Sequence, residues 1–113
     1  MQKTRELQAI EKIVGKKKQE KKKLLDIFIR QVSKQVEQLQ TCIKGNDWKG
    51  LKKLVHKMKS TFIIADMPEA KALADIIGNS DSISSELSRQ VNTLIEICAR
   101  VIADFKNELN RIS

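Results

Sequence analysis

The residues able to do chemistry gather in one nonapeptide, "LVHKMKSTF", residues 54–62. It contains His56, the only histidine in a chain of 113 residues. Lys57 and Lys59 flank Met58, and Lys52 and Lys53 stand one turn earlier. On a helix, at about 100° per residue, Lys49, Lys52, Lys53, Lys59, Ser60 and Ile63 fall within about 60° of His56. Leu51, Leu54, Val55, Met58, Phe62 and Ala65 fall on the far side, within about 80° of its centre. The apolar side must face a core, so the histidine faces water among lysines. An exposed imidazole keeps a free lone pair at physiological pH and is a nucleophile. The lysines attract an anion, and Lys59, one turn on, can neutralise a phosphoryl group placed on the ring. Ser60 is small enough to let a second protein come close, and Ile63 offers that partner an apolar contact. Together these describe a surface histidine that could accept a phosphoryl group from a docked protein.

Such a histidine needs a rigid helix under it, and the chain supplies helices throughout. With one proline, four glycines, no tyrosine and no alternating β-branched runs, the composition favours them. Five segments show one-sided apolar spacing. The first covers about 3–14 and stops at Gly15. The second, about 20–44, carries Leu25, Phe28, Val32, Val36, Leu39 and Ile43 and ends at Gly45. The third starts at "NDW", where Asn46 or Asp47 can cap the first turn, and runs to Ala65. The fourth starts near Pro68, a residue suited to a first helical turn, and stops at "GNS". The last, about 83–112, carries apolar residues from Ile83 to Ile112 and should be about 45 Å long at 1.5 Å per residue. None of these stripes can be buried alone, and the short breaks between segments favour antiparallel neighbours. The fold expected is all-α. The second to fifth helices form an antiparallel up-and-down four-helix bundle, and the additional N-terminal helix closes one end. Trp48 is expected to pack at the bundle end. Gly50 is expected to permit close approach of a neighbouring helix.

One domain over 1–113 is the expectation from length, and a chain of this size can bury one core without staples. Cys42 and Cys98 each replace an apolar residue in a helical stripe, which predicts two buried, reduced cysteines. One histidine and two isolated cysteines do not make a zinc ligand set, so no metal site is expected. No apolar run reaches transmembrane length and no signal peptide is visible. A reducing, cytoplasmic setting fits. The net charge is +8. Residues 1–23 hold nine Lys/Arg against three Glu, so most of the excess lies in "GKKKQEKKK", 15–23. Such a run suits a solvated loop or helix start. No aromatic residue interleaves these lysines as a base-stacking platform would require, so no nucleic-acid partner is expected.

The stretch "GNDWKGLKKLVHKMKST" resembles the central motif of histidine-containing phosphotransfer (HPt) domains. The correspondence runs through Asp47–Trp48, His56, Met58 in place of a leucine, Lys59, and Thr61 in place of a serine. "DMPEAKALADIIG" resembles the family's next helix and "LLDIFIRQVSKQVEQLQTCI" the preceding one. The resemblance implies a four-helix bundle. It also implies phosphorylation of His56, with the group exchanged with the aspartates of response-regulator receiver domains. Lys59 would take the role of the family lysine, and Ser60 stands where the family has glycine. Asp66 stands where a glycine often forms the turn into the next helix, and aspartate tolerates a left-handed conformation better than most residues. The expected partners are receiver domains, which would dock on Lys49, Lys52, Lys53 and Ile63. Such domains occur alone and as part of hybrid sensor histidine kinases.

A kinase dimerisation domain also carries a helical histidine, but there an acidic residue follows it, and here Lys57 does. No Gly-rich nucleotide-binding segment is present. The chain is therefore expected to relay a group made elsewhere, as a phosphotransfer protein and not an autonomous kinase. It would bind no cofactor itself, and Mg²⁺ would be held by the partner receiver. Two alternatives remain. One is a basic helical module for nucleic acid or anionic surfaces, using 15–23, which predicts steep salt dependence and no role for His56. The other is a bundle that docks receivers without accepting phosphate.

Overall fold

A computed structural model describes residues 3–113. It contains five helices: α1 (Arg5–Val14), α2 (Lys18–Lys44), α3 (Trp48–Ile64), α4 (Pro68–Gly78) and α5 (Ser85–Ile112). The expected first two residues of the domain lie outside the described residues. Helices α2, α3, α4 and α5 pack in a ring, each against the next and α5 back against α2, which is the up-and-down bundle. The long axis of the molecule, 44 Å, is set by the two long helices α2 and α5.

The stripes meet in one core. Phe28 of α2 and Phe105 of α5 pack with tilted rings, their centroids 4.6 Å apart. Val55, Met58 and Phe62 of α3 and Ala70, Ala74 and Ile77 of α4 complete the interior, all nearly inaccessible to water. Helix α1 closes one end, burying Leu7 and Ile10. It is held there by ions as well. Lys21 of α2 lies buried between Glu11 of α1, at 2.9 Å, and Glu108 of α5. Arg111 in turn donates from Nε to Glu108 at 2.6 Å. The lysine run is thus not wholly solvated. Its fourth lysine belongs to this cluster, while 15–20 and Lys23 are exposed.

Helix limits follow their caps. Thr4 Oγ1 accepts from the Leu7 amide at 3.2 Å and starts α1. The hydroxyl of Ser84 accepts from the Leu87 amide at 3.1 Å, so α5 begins at Ser85 and not at Ile83. Ile83 packs on the core from the loop. Two helix ends use the same turn. Asn46 and Asp66 both take φ 53°, after α2 and α3. The amide of the following residue reaches back to Cys42 O and Phe62 O respectively, each at 2.8 Å, closing the last turn. The left-handed residue expected at position 66 is therefore present.

Two expectations change. Cys98 is buried, and burial pushes its thiol up to about 12. Cys42 is only half-buried, because it lies at the rim of the α2 stripe. Its thiol is raised by burial and by Asp47. At Gly50 the nearest atoms an added Cβ would meet belong to the Asp47 carboxylate, which caps the same turn, and not to a neighbouring helix.

Candidate functional site

Helix α3 is started by its own sequence. Asp47 accepts from the Gly50 amide at 2.9 Å, satisfying one free donor of the first turn. Trp48 fastens that turn to the loop that follows the neighbouring helix α4. Its indole N–H donates to the Ser80 carbonyl at 3.0 Å, in the loop between α4 and α5. Lys52, one turn on, lies over the indole ring at 4.5 Å. Leu51, Leu54, Val55, Met58 and Phe62 are buried, which fixes the rotation of α3 about its axis. That rotation leaves His56 exposed.

His56 lies on an open groove of about 410 Å³ lined by Lys52, Lys53, Val55, Lys59, Gly78 and Asn79. One wall is α3 and the other is the C-terminal end of α4. Three of the lysines expected near the histidine thus share its groove. Lys49, one turn before Lys53, is exposed but not on the groove. Ile63 is 60% exposed and lies two turns further along α3. There it lines a separate depression with Ile64 and the α1 residues Arg5, Gln8 and Lys12. Ser60 is exposed, and its hydroxyl donates to the Lys57 carbonyl at 3.2 Å, back onto its own helix.

Lys59 has a partner that the sequence did not announce. Its ammonium lies 2.8 Å from Asp75 Oδ1 on α4. Lys71, one turn before Asp75, reaches the other carboxylate oxygen at 3.2 Å. The Lys59 hydrogen bond first, then Lys71, holds the Asp75 carboxyl below the usual carboxylate range. Gly78 and Asn79 were also missed. A Cβ on Gly78 would sit 3.8 Å from Val55, an ordinary contact, so packing does not demand a glycine there. Its lack of a side chain leaves the α4 side of the groove low beside His56. The only sequence signal for these two was their place at the "GNS" helix stop.

Among the described residues no group of three or more His, Cys, Asp or Glu side chains is gathered that could hold a metal ion. No helix among them is long and apolar enough to cross a membrane. The arrangement offers one exposed imidazole with lysines on both sides along α3 and, among the described residues, no acidic group lining its groove. The family model described as Hpt domain matches residues 23–112. No curated protein and no solved structure matches the chain.

Proposed function

Because the chain belongs to the Hpt domain family, whose members carry phosphoryl groups on histidine within phosphorelays and are not kinases, we propose that His56 is its phosphoryl carrier. It accepts the group from a receiver-domain aspartate and passes it to a second receiver. The observation that carries this is the exposure of the only histidine on an open groove lined by Lys52, Lys53 and Lys59.

That geometry supports the following transfer. A ring nitrogen of His56 attacks the phosphorus of an aspartyl phosphate in line with the leaving oxygen. The P–N bond forms as the P–O bond breaks, and the electron pair leaves with the receiver carboxylate. The proton on the other ring nitrogen passes to water. Phosphoryl transfer needs positioning and charge neutralisation more than covalent help. Lys59, with Lys52 and Lys53, neutralises the phosphoryl oxygens from this chain's side. Mg²⁺ belongs to the receiver's acidic pocket, and no cofactor is required of this chain. The receiver docks over the α3 face, with Lys49, Lys52 and Lys53 attracting an acidic rim and Ile63 giving an apolar contact. A receiver on the same polypeptide as a sensor histidine kinase would be as suitable a donor as a free one. Two unpaired cysteines suit the reducing cytoplasm as the place of exchange.

The test uses a panel of receivers charged with a small phosphodonor and mixed with the wild type or His56→Gln. The expected result is acid-labile, alkali-stable phosphate on the wild type only. Label on neither protein, with the bundle folded, would leave a docking bundle without phosphoryl chemistry.

A further inference from the structure

The ion pair between Lys59 and Asp75 places the cation best suited to a phosphoryl group on a carboxylate of the opposite helix. Lys59 is 30% exposed and Asp75 42%, so the pair is wet and easily exchanged. Asp75 does not depend on it. Lys71 occupies its second oxygen, so Asp75 stays paired if Lys59 leaves. Lys59 and His56 line the same groove. A dianionic phosphoryl group on His56 would draw the Lys59 ammonium more strongly than a singly charged carboxylate that already has a second cation.

We propose that Asp75 is a positioning residue: it holds Lys59 on α4 while His56 is bare and competes with the phosphoryl group for it afterwards, thereby setting how long the group stays on the ring. This rests on His56 being the phosphoryl acceptor. The direction follows from the hydrolysis step. The P–N bond breaks and its electron pair returns to the ring nitrogen. A water oxygen bonds phosphorus, and the water's protons pass to the ring and solvent as inorganic phosphate leaves. In a loose, metaphosphate-like transition state the bonding pair moves to the leaving ring nitrogen, and the phosphoryl oxygens carry less charge than in the dianionic phosphohistidine. A cation held on those oxygens therefore stabilises the phosphohistidine more than the transition state and slows its loss. Asp75, by drawing Lys59 away, shortens the lifetime.

The test uses potassium phosphoramidate, which phosphorylates an exposed histidine chemically with release of ammonia, so no receiver is needed. The wild type, Asp75→Asn, Lys59→Ala and the double variant are phosphorylated and the donor is removed. Decay of phosphohistidine is then followed by phosphorus NMR. Asp75→Asn should lengthen the half-life about threefold to fivefold, the scale of an exposed ion pair. Lys59→Ala should shorten it by a similar factor. In the Lys59→Ala background, Asp75→Asn should change nothing. An unchanged half-life in Asp75→Asn overturns the proposal. So does a lengthening that persists without Lys59, which would mean direct repulsion by the carboxylate. Both sites are partly exposed, so thermal midpoints should stay near that of the wild type. Failure of every receiver to transfer would count against the relay and leave these half-lives measured. Absence of phosphohistidine after phosphoramidate treatment of folded protein overturns both.

Discussion

Asp66 shows what a single residue can cost and how a sequence signals it. Its φ of 53° is the left-handed conformation that ends α3, and its carboxylate makes an exposed ion pair with Arg5 at 3.1 Å. The conformation is unfavourable for any residue with a Cβ, less so for aspartate and asparagine. The ion pair returns little. Asp66→Gly should therefore stabilise the protein by about 0.5–1 kcal/mol, read as a higher urea midpoint with an unchanged slope. The same scale explains why His56 was legible and Ser60 was not. A lone histidine opposite an apolar stripe must be exposed if the stripe is buried. Nothing in the sequence tells whether a serine hydroxyl turns to a neighbour's side chain or, as here, to the Lys57 carbonyl of its own helix.

At the scale of elements, three helices meet in the cluster of Glu11, Lys21, Glu108 and Arg111. The Arg111 hydrogen bond first, with Lys21 adding and burial opposing, holds the Glu108 carboxyl at about 2, against an ordinary value of 4.5. Burial pulls the Lys21 ammonium down, but its bonds to Glu108 and Glu11 outweigh that and raise it. A carboxyl held low in the folded state stabilises it at pH values above the unfolded pKa. That contribution is lost as pH falls from about 4.5 to about 2. It should amount to about 1–2 kcal/mol once the exposure of Arg111 is allowed for. Glu108→Gln should lower stability at neutral pH and flatten the loss across that acid range. Urea midpoints of both proteins between pH 7 and pH 2 check this. A parallel fall in the two proteins would remove Glu108 as the titrating group. The stripe of α2 hides another polar residue, Gln35, only 8% exposed, whose Oε1 has no partner among the described residues.

For the whole molecule, the family match begins at residue 23, whereas α1 and the first turn of α2 complete the end of the bundle. Deleting residues 1–16 would expose the surface under Leu7 and Ile10 and leave Lys21 with Glu108 alone. Burying one such side chain is worth about 1.5–3 kcal/mol, so the deletion should cost about 3–5 kcal/mol. The histidine groove, built from α3 and α4, should survive it. Thermal melts and phosphoramidate labelling of His56 on the truncated protein test both statements. Loss of labelling in a truncated protein that still folds would show that α1 shapes the groove. The charge of the molecule is likewise divided. The lysines at the start of α2 lie near the α1 end, whereas Lys52, Lys53 and Lys59 of α3 line the histidine groove.

The helices, their buried faces and the outward side of α3 were determined by the sequence alone. Each depends on local periodicity, and a stripe repeating every three or four residues permits one rotation of a helix against a core. A cap at Asn46 or Asp47 was legible because its partner lies within a few residues, and the turn at Asp66 entered only through the family resemblance. Tertiary structure decided the rest. It set Asp75 against Lys59, placed Gly78 and Asn79 across from His56, left Cys42 at a rim, and drew Lys21 out of a solvated run into a buried ion cluster. Each of these depends on which helices become neighbours and at what height they meet. One-sided apolar stripes say that helices must pair, but they leave the partner and the register free, and it is the register of α4 beside α3 that gives the histidine its groove.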